Sequence, residues 1–227
     1  MNRRVITTAV ALAAFAACIL AASASAAQLT SPTGTRLAIG SKVKATNIGT
    51  SKFKNDEGTT TLTECSTTTM TGEVIKNNGT EVEANITTVS ASGTGALFNG
   101  SNECTGSFGN FTATFATGNG TPWCLKTVTG ADEFTIRGGL CSQATRSITV
   151  VIDSTTVGSC KYSRATAFKG TFNTDTTGND AVLSMAPNAN TTLTKEEGGI
   201  LCPASGTLEV SYTLEVDEAG VSPMYIS

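Results

Sequence analysis

Thr207-Leu208-Glu209-Val210-Ser211-Tyr212-Thr213-Leu214-Glu215-Val216-Asp217 alternates without a fault. Leu208, Val210, Tyr212, Leu214 and Val216 fall on one face, and Glu209, Ser211, Thr213, Glu215 and Asp217 on the other. A period of two over so many residues suits an extended strand with one buried face and cannot seat an amphipathic helix.

The same period recurs upstream. Leu37, Ile39, Val43 and Ala45 share a face opposite Lys42 and Lys44, so the first strand is expected over Leu37–Ala45. Thr59–Met70 reads as one threonine-rich strand and Val74–Lys76 as another. Val82, Ala84 and Ile86 alternate with Glu81, Glu83, Asn85 and Thr87, and Phe111, Ala113 and Phe115 repeat the pattern. Phe134 and Ile136, then Ile148, Val150 and Ile152, then Phe168 and Phe172 with Gly170 between them, and Val182–Met185 follow. Gly170 inside such a run marks a bulge or a close backbone approach. Asn55-Asp56-Glu57-Gly58, Asn77-Asn78-Gly79, Gly93-Thr94-Gly95, Gly118-Asn119-Gly120, Gly138-Gly139, Pro187–Asn190 and Glu196–Gly199 punctuate the strands with turn chemistry. The expectation is an all-β, disulfide-stapled antiparallel β-sandwich of about 11–12 strands, with a β-barrel as the alternative.

Composition agrees. Threonine numbers about forty and glycine 23, while aromatic residues make up 6% and charged residues 15%. Threonine fits a pleated, half-exposed surface, and glycine supplies turns. The 227 residues contain no histidine, which removes the usual neutral-pH general base and the commonest metal ligand together.

Residues 1–26 have the three parts of an export signal: Arg3-Arg4, an apolar run from Val5 to Leu20, and the small residues Ala24-Ser25-Ala26. One secreted domain over 27–227 is therefore expected, with a two-lobe split near 139 as the alternative offered by Gly138-Gly139. A lipid anchor at Cys18 is disfavoured, because Phe15 is a poor first residue for the required motif. Losing Arg3 and Arg4 takes the 15 basic residues to 13 against 18 acidic ones, a balance of −5. No basic face is evident, which argues against nucleic acid as a partner. No later apolar run reaches the 18 or so residues of a membrane-spanning helix.

Six cysteines follow the signal: Cys65, Cys104, Cys124, Cys141, Cys160 and Cys202. An even number behind an export signal implies three disulfides, and six cysteines allow 15 connectivities among which sequence does not choose. Joining neighbours, Cys65 to Cys104, Cys124 to Cys141 and Cys160 to Cys202, is the working expectation. Thr121-Pro122-Trp123-Cys124-Leu125 sets the only tryptophan beside one of these bridges, a combination that excludes water without a large aliphatic core.

Candidates for chemistry are few. Ser-His-Asp and Cys-His sites are excluded without histidine. A pair of carboxylates for glycoside hydrolysis could draw on Asp132, Glu133, Asp153, Glu196 and Glu197, all read first as solvated surface. Asn173–Asp180 is oxygen-rich, with Asp175 and Asp180 as weak metal candidates, but Ser184 stands where a calcium loop of that spacing needs a glutamate. No metal and no cofactor is expected. Trp123, Tyr162 and Tyr225 are the candidate ligand-binding aromatics, with Trp123 read first as core and Tyr212 as core on its strand's apolar face.

The alanine-rich leader, the threonine- and glycine-rich body, Pro122-Trp123-Cys124-Leu125 and Cys160-Lys161-Tyr162 together resemble secreted, cysteine-containing all-β proteins of high-GC actinobacteria. The resemblance covers most of the chain after the leader. It implies location and no activity. The functional expectation is a non-enzymatic extracellular or cell-envelope β-protein with a structural, adhesive or ligand-binding role, its partner a cell-wall or extracellular glycan or a second copy. The alternatives are a carboxylate-based secreted glycoside hydrolase and a subunit of a surface assembly.

Overall fold

A computed structural model describes residues 27–31, 33–92, 103–106, 111–117, 122–128, 131–154, 158–173, 181–216 and 225–226. The signal segment with Cys18, the Gly93-Thr94-Gly95 and Gly118-Asn119-Gly120 turns, and Asp175 and Asp180 lie outside the described residues. Among the described residues sixteen strands run in chain order: β1 (Leu29–Thr30), β2 (Lys42–Asn55), β3 (Thr61–Cys65), β4 (Thr67–Asn77), β5 (Val82–Ser92), β6 (Glu103–Gly106), β7 (Phe111–Thr117), β8 (Trp123–Val128), β9 (Glu133–Gly138), β10 (Ile148–Ser154), β11 (Gly158–Arg164), β12 (Phe168–Asn173), β13 (Val182–Met185), β14 (Thr192–Glu197), β15 (Ser205–Val216) and β16 (Tyr225–Ile226). The only helical element described is one 3₁₀ turn, Cys141–Gln143.

The sheet closes on itself, so the sandwich gives way to the barrel. The reason is β2 and β15, which pair antiparallel from Gly206 opposite Asn55 to Val216 opposite Val43 and leave neither strand with a free edge. Around the rest of the ring most strands come in collinear pairs. β3 and β4 both run antiparallel along β2, one beside its second half and one beside its first. β6 and β5 lie beside β3 and β4, then β7 and β8, β10 and β9, β11 and β12, and β14 and β13, which return to β15. The fourteen barrel strands are therefore eight up-and-down staves, six of them interrupted at mid-height, with β2 and β15 running the full length.

This arrangement explains where the strand count departs from 11–12. Thr59–Met70 is divided at Ser66, and β4 continues through Gly72 to Asn77 with no break before Val74. A Cβ on Gly72 would lie 2.6 Å from the Asn85 carbonyl, so the glycine lets β5 approach closely. The first barrel strand starts at Lys42, and Leu37 is buried ahead of it in the approach. Thr192–Glu197 is strand β14, extending into the stretch expected to be a connection. At Gly170 the close approach is real: an added Cβ would sit 2.3 Å from the Ser184 carbonyl oxygen and 2.5 Å from the Phe134 ring.

The mid-height interruptions are held by polar side chains. Asn47, next to the exposed Ile48 and the positive-φ Gly49 of a bulge in β2, donates to the carbonyls of Gly49 (2.7 Å) and Ser66 (3.1 Å) and accepts from the Thr68 amide (2.7 Å). It ties the bulge to the break between β3 and β4. Across the barrel, Arg164 donates to the carbonyls of Ala167 (3.0 Å), Ala189 (2.9 Å) and Thr192 (2.9 Å), joining the end of β11 to the detour between β13 and β14. Its guanidinium also lies 5.7 Å from the Phe168 ring centre.

Inside, one connected core fills the barrel, from Ala27, Leu29 and Ile226 at the lower end to Phe53, Tyr162 and Leu193 higher up. The lower end is covered by the short two-stranded pair of β1 and β16. Asn77 fastens β1 there, donating to the Leu29 and Leu37 carbonyls and accepting from the Leu29 amide. Replacing Arg164 with Ala is expected to cost about 2–4 kcal/mol in urea unfolding, because carbonyls are left without donors. Arg164→Lys should recover less than half, since an ammonium cannot span three carbonyls in one plane.

Candidate functional site

Trp123 opens β8, opposite Ile86 of β5 and Gly138 of β9, and turns into the barrel with 6% of its surface exposed. Cys124 is bonded to Cys141 in the 3₁₀ turn, whose amide is received by the Asn85 side chain at 2.9 Å. The stretch is a core anchor, as its composition suggested. Tyr162 is 1% exposed and packs against Phe53 with ring centres 4.9 Å apart. Neither ring offers a face to a sugar on the outer surface. Tyr225 lies in β16 opposite Thr30, away from both.

The interior leaves little room. Trp123, Ile136, Phe168, Val150 and Met185 surround a space of about 40 Å³, and a second of about 40 Å³ lies below, among Val43, Leu125, Leu183, Leu29 and Ile226. Met70 lines both. A space of that size takes a few water molecules, whereas pockets for small organic ligands run to about 300 Å³ and more. The lining is almost wholly apolar, so neither space offers water its polar partners. Eight strands make an interior that side chains can just fill, and the two spaces bounded by the described residues are small.

Some of the polar groups that enter the core pair with one another. The Thr68 hydroxyl donates to the Tyr212 phenol at 3.2 Å and meets Ser51 Oγ at 2.5 Å. Burial pushes the Tyr162 phenol up to about 12, and burial raises Tyr212 as well.

The carboxylates lie outside. Asp132 and Glu133 precede and begin β9 at the lower end, while Asp153, Glu196 and Glu197 stand at the upper end, and all five are exposed. Glu196 accepts from Ser163 Oγ at 2.5 Å and pairs with Lys161 at 3.3 Å. The Ser163 hydroxyl and then Lys161 hold it below the usual carboxylate range, the opposite of what a general acid requires. Lys161 also pairs with Glu197 at 2.7 Å, and its own pKa is raised by these two partners. A second cluster joins Lys76 and Lys126 to Glu81 and Glu83 at the lower end, where Lys76 and Lys126 hold Glu81 down. Both clusters stitch neighbouring staves. Among the described residues no group of three His, Cys, Asp or Glu side chains is placed to hold a metal.

The disulfides follow the neighbour pairing: Cys65–Cys104, Cys124–Cys141 and Cys160–Cys202, with Cα separations of 4.4, 4.7 and 5.7 Å. The third holds a feature that the sequence reading passed over. Between β14 and β15, Gly199-Ile200-Leu201-Cys202 makes a turn closed by the Cys202 amide donating to the Gly199 carbonyl at 3.1 Å. Ile200 is 99% exposed and Leu201 55%. The signal was present as two adjacent aliphatic residues in a glycine-flanked turn, but period-two reading gives such residues no side.

No family model, no curated protein and no solved structure matches the chain. The closed eight-stave barrel with a filled apolar interior and a polar outer wall is what the fold defines.

Two measurements check this interior. Met70→Ala, which joins the two spaces, is expected to cost about 2–5 kcal/mol and to admit benzene, read as a change in the fluorescence of the lone tryptophan. Tyr162 stays protonated in the fold after an unfolded tyrosine would ionise. Stability is therefore full below pH 10 and falls as pH rises towards about 12, by about 2–3 kcal/mol, with the phenol absorbance appearing together with unfolding.

Proposed function

We propose that the protein is a non-enzymatic scaffold of the extracellular space or cell envelope, which binds through the outside and the ends of its barrel. The observation that carries this reading is the small size of the two interior spaces bounded by the described residues, about 40 Å³ each. The three disulfides support it, because such bridges persist in oxidising surroundings and stabilise a core poor in aromatic residues by about 2–4 kcal/mol each. Glu196, held below the usual carboxylate range by Ser163 and Lys161, gives the hydrolase alternative no support as a general acid. Assembly by strand addition loses its template when β2 and β15 pair, since a closed barrel has no long free edge.

The test is the oxidised protein, purified and offered to isolated bacterial cell walls and to a glycan array. Saturable binding to either, without turnover of the glycan, is the expected result. Release of reducing sugar from any glycan, lost when one exposed carboxylate is neutralised, would replace the scaffold with the hydrolase. Failure of every wall and glycan would move the partner to protein.

A further inference from the structure

The turn at the upper end is built more firmly than a connection needs. Cys160–Cys202 ties its far side to β11. The Lys195 ammonium reaches back to the carbonyls of Cys202 (3.0 Å) and Gly199 (3.5 Å), the residues on either side of the aliphatic pair. The Lys195 amide donates to Ala204 at 2.8 Å, closing the base of the loop. Gly198, at φ 129°, is pressed against the bridge: an added Cβ would lie 2.5 Å from Cys202 Sγ and 3.0 Å from the Ser159 carbonyl.

These clamps hold Ile200 and Leu201 outward. A loose loop would turn two aliphatic side chains onto the protein and gain by covering them, whereas this one is prevented from doing so. Isolated surface aliphatics need no explanation, but an adjacent pair on a rigid tip has the form of an interface anchor.

The surroundings select the occupant. Asp56, bonded by Ser205 Oγ at 3.3 Å, and Glu57 stand on the neighbouring turn, and Asp153 pairs across with Ser159, which touches Gly198. With Glu196 and Glu197 they make an acidic rim, while Lys161 is taken up by the two glutamates and Lys195 by the loop carbonyls. An anionic membrane is repelled by such a rim. A second copy would bring the same acidic rim against its own, and two side chains bury far less than the roughly 1,000 Å² of a stable dimer. We infer that Ile200 and Leu201 are the anchor by which the barrel docks into an apolar pocket on a different protein, one whose pocket is bordered by basic residues.

The inference goes beyond the scaffold reading and rests on it only for the outward site of binding. It is tested by placing the photo-crosslinker p-benzoylphenylalanine at position 200 in the full chain, expressed in the cells that export it, with position 39 as an exposed control remote from the tip. The expected result is one discrete adduct with another protein, absent from the control. It should weaken at least tenfold in Leu201→Asp, and severalfold in the Asp56→Lys, Glu57→Lys pair. Both variants change exposed side chains and should melt as the parent does. An adduct with a second copy, co-flotation with phosphatidylcholine–phosphatidylglycerol vesicles, an adduct indifferent to Leu201→Asp, or no adduct would each overturn the inference. Wall or glycan binding retained in Leu201→Asp would leave the scaffold standing by itself.

Discussion

Everything in this molecule depends on β2 meeting β15. The two strands are separated by most of the chain, yet they pair from Asn55 and Gly206 to Val43 and Val216. Side chains support the seam: Lys54 meets Glu209 at 2.5 Å, and the hydroxyls of Thr207 and Thr213 donate to the carbonyls of Asn55 and Thr46. Without the seam the eight staves would be an open meander with two long edges and a half-covered apolar face. With it, Val43, Ala45, Phe53, Val210, Tyr212 and Leu214 all point into one enclosure. Because the pairing is so distant in sequence, its loop-closure entropy must be met before it contributes, and closure belongs late in folding. The disulfides work the other way, each spanning 17 to 42 residues and steadying neighbouring staves.

A barrel this tall has to accommodate twist, and the mid-height interruptions are where it does so. Regular strands of such length would coil steadily, whereas bulges and breaks let each half adopt its own tilt. The cost is a belt of backbone groups that have left the ladder, and those groups need partners. Asn47, Arg164 and the Asn85 acceptor for Cys141 are the partners here, polar side chains spent on the backbone. Thr191, wholly buried, does the same by donating to the Ala186 carbonyl while its own carbonyl receives Leu208.

The strands were legible because alternation is a local signal. Leu208–Val216, Val82–Ile86 and Ile148–Ile152 stand where the period places them, and Gly170 makes the close approach that an isolated strand glycine suggests. Closure was not legible, because a stave buried on one face reads the same in a sandwich and in a barrel; only a partner some 150 residues away decides. The break at Ser66 was hidden for a related reason, since a polar staple such as Asn47 acts through contacts distant in sequence. Trp123 announced itself by standing beside Cys124. Ile200 and Leu201 did not, because in a turn the sequence carries no statement of which side chains face water, and their exposure comes from clamps supplied by Lys195 and by Cys160 on another strand.

The geometry also bears on why the proposed docking site falls at the upper rim. At the lower end β1 and β16 pair with Leu29 and Ile226 buried, and Asn77 fastens Leu29, so these apolar side chains are already covered. Along the outer wall, lysines and glutamates on neighbouring staves pair with one another, as Lys54 does with Glu209 and Lys126 with Glu83. At the turn between β14 and β15 two aliphatic side chains are held away from the core by covalent and charged restraints. Rigid presentation lowers the entropy lost on docking, and a disulfide-tied tip loses less than a free loop would. A disulfide, a lysine and a glycine with no room for a Cβ together keep two apolar residues in water, and that restraint is what favours this turn as the proposed docking site.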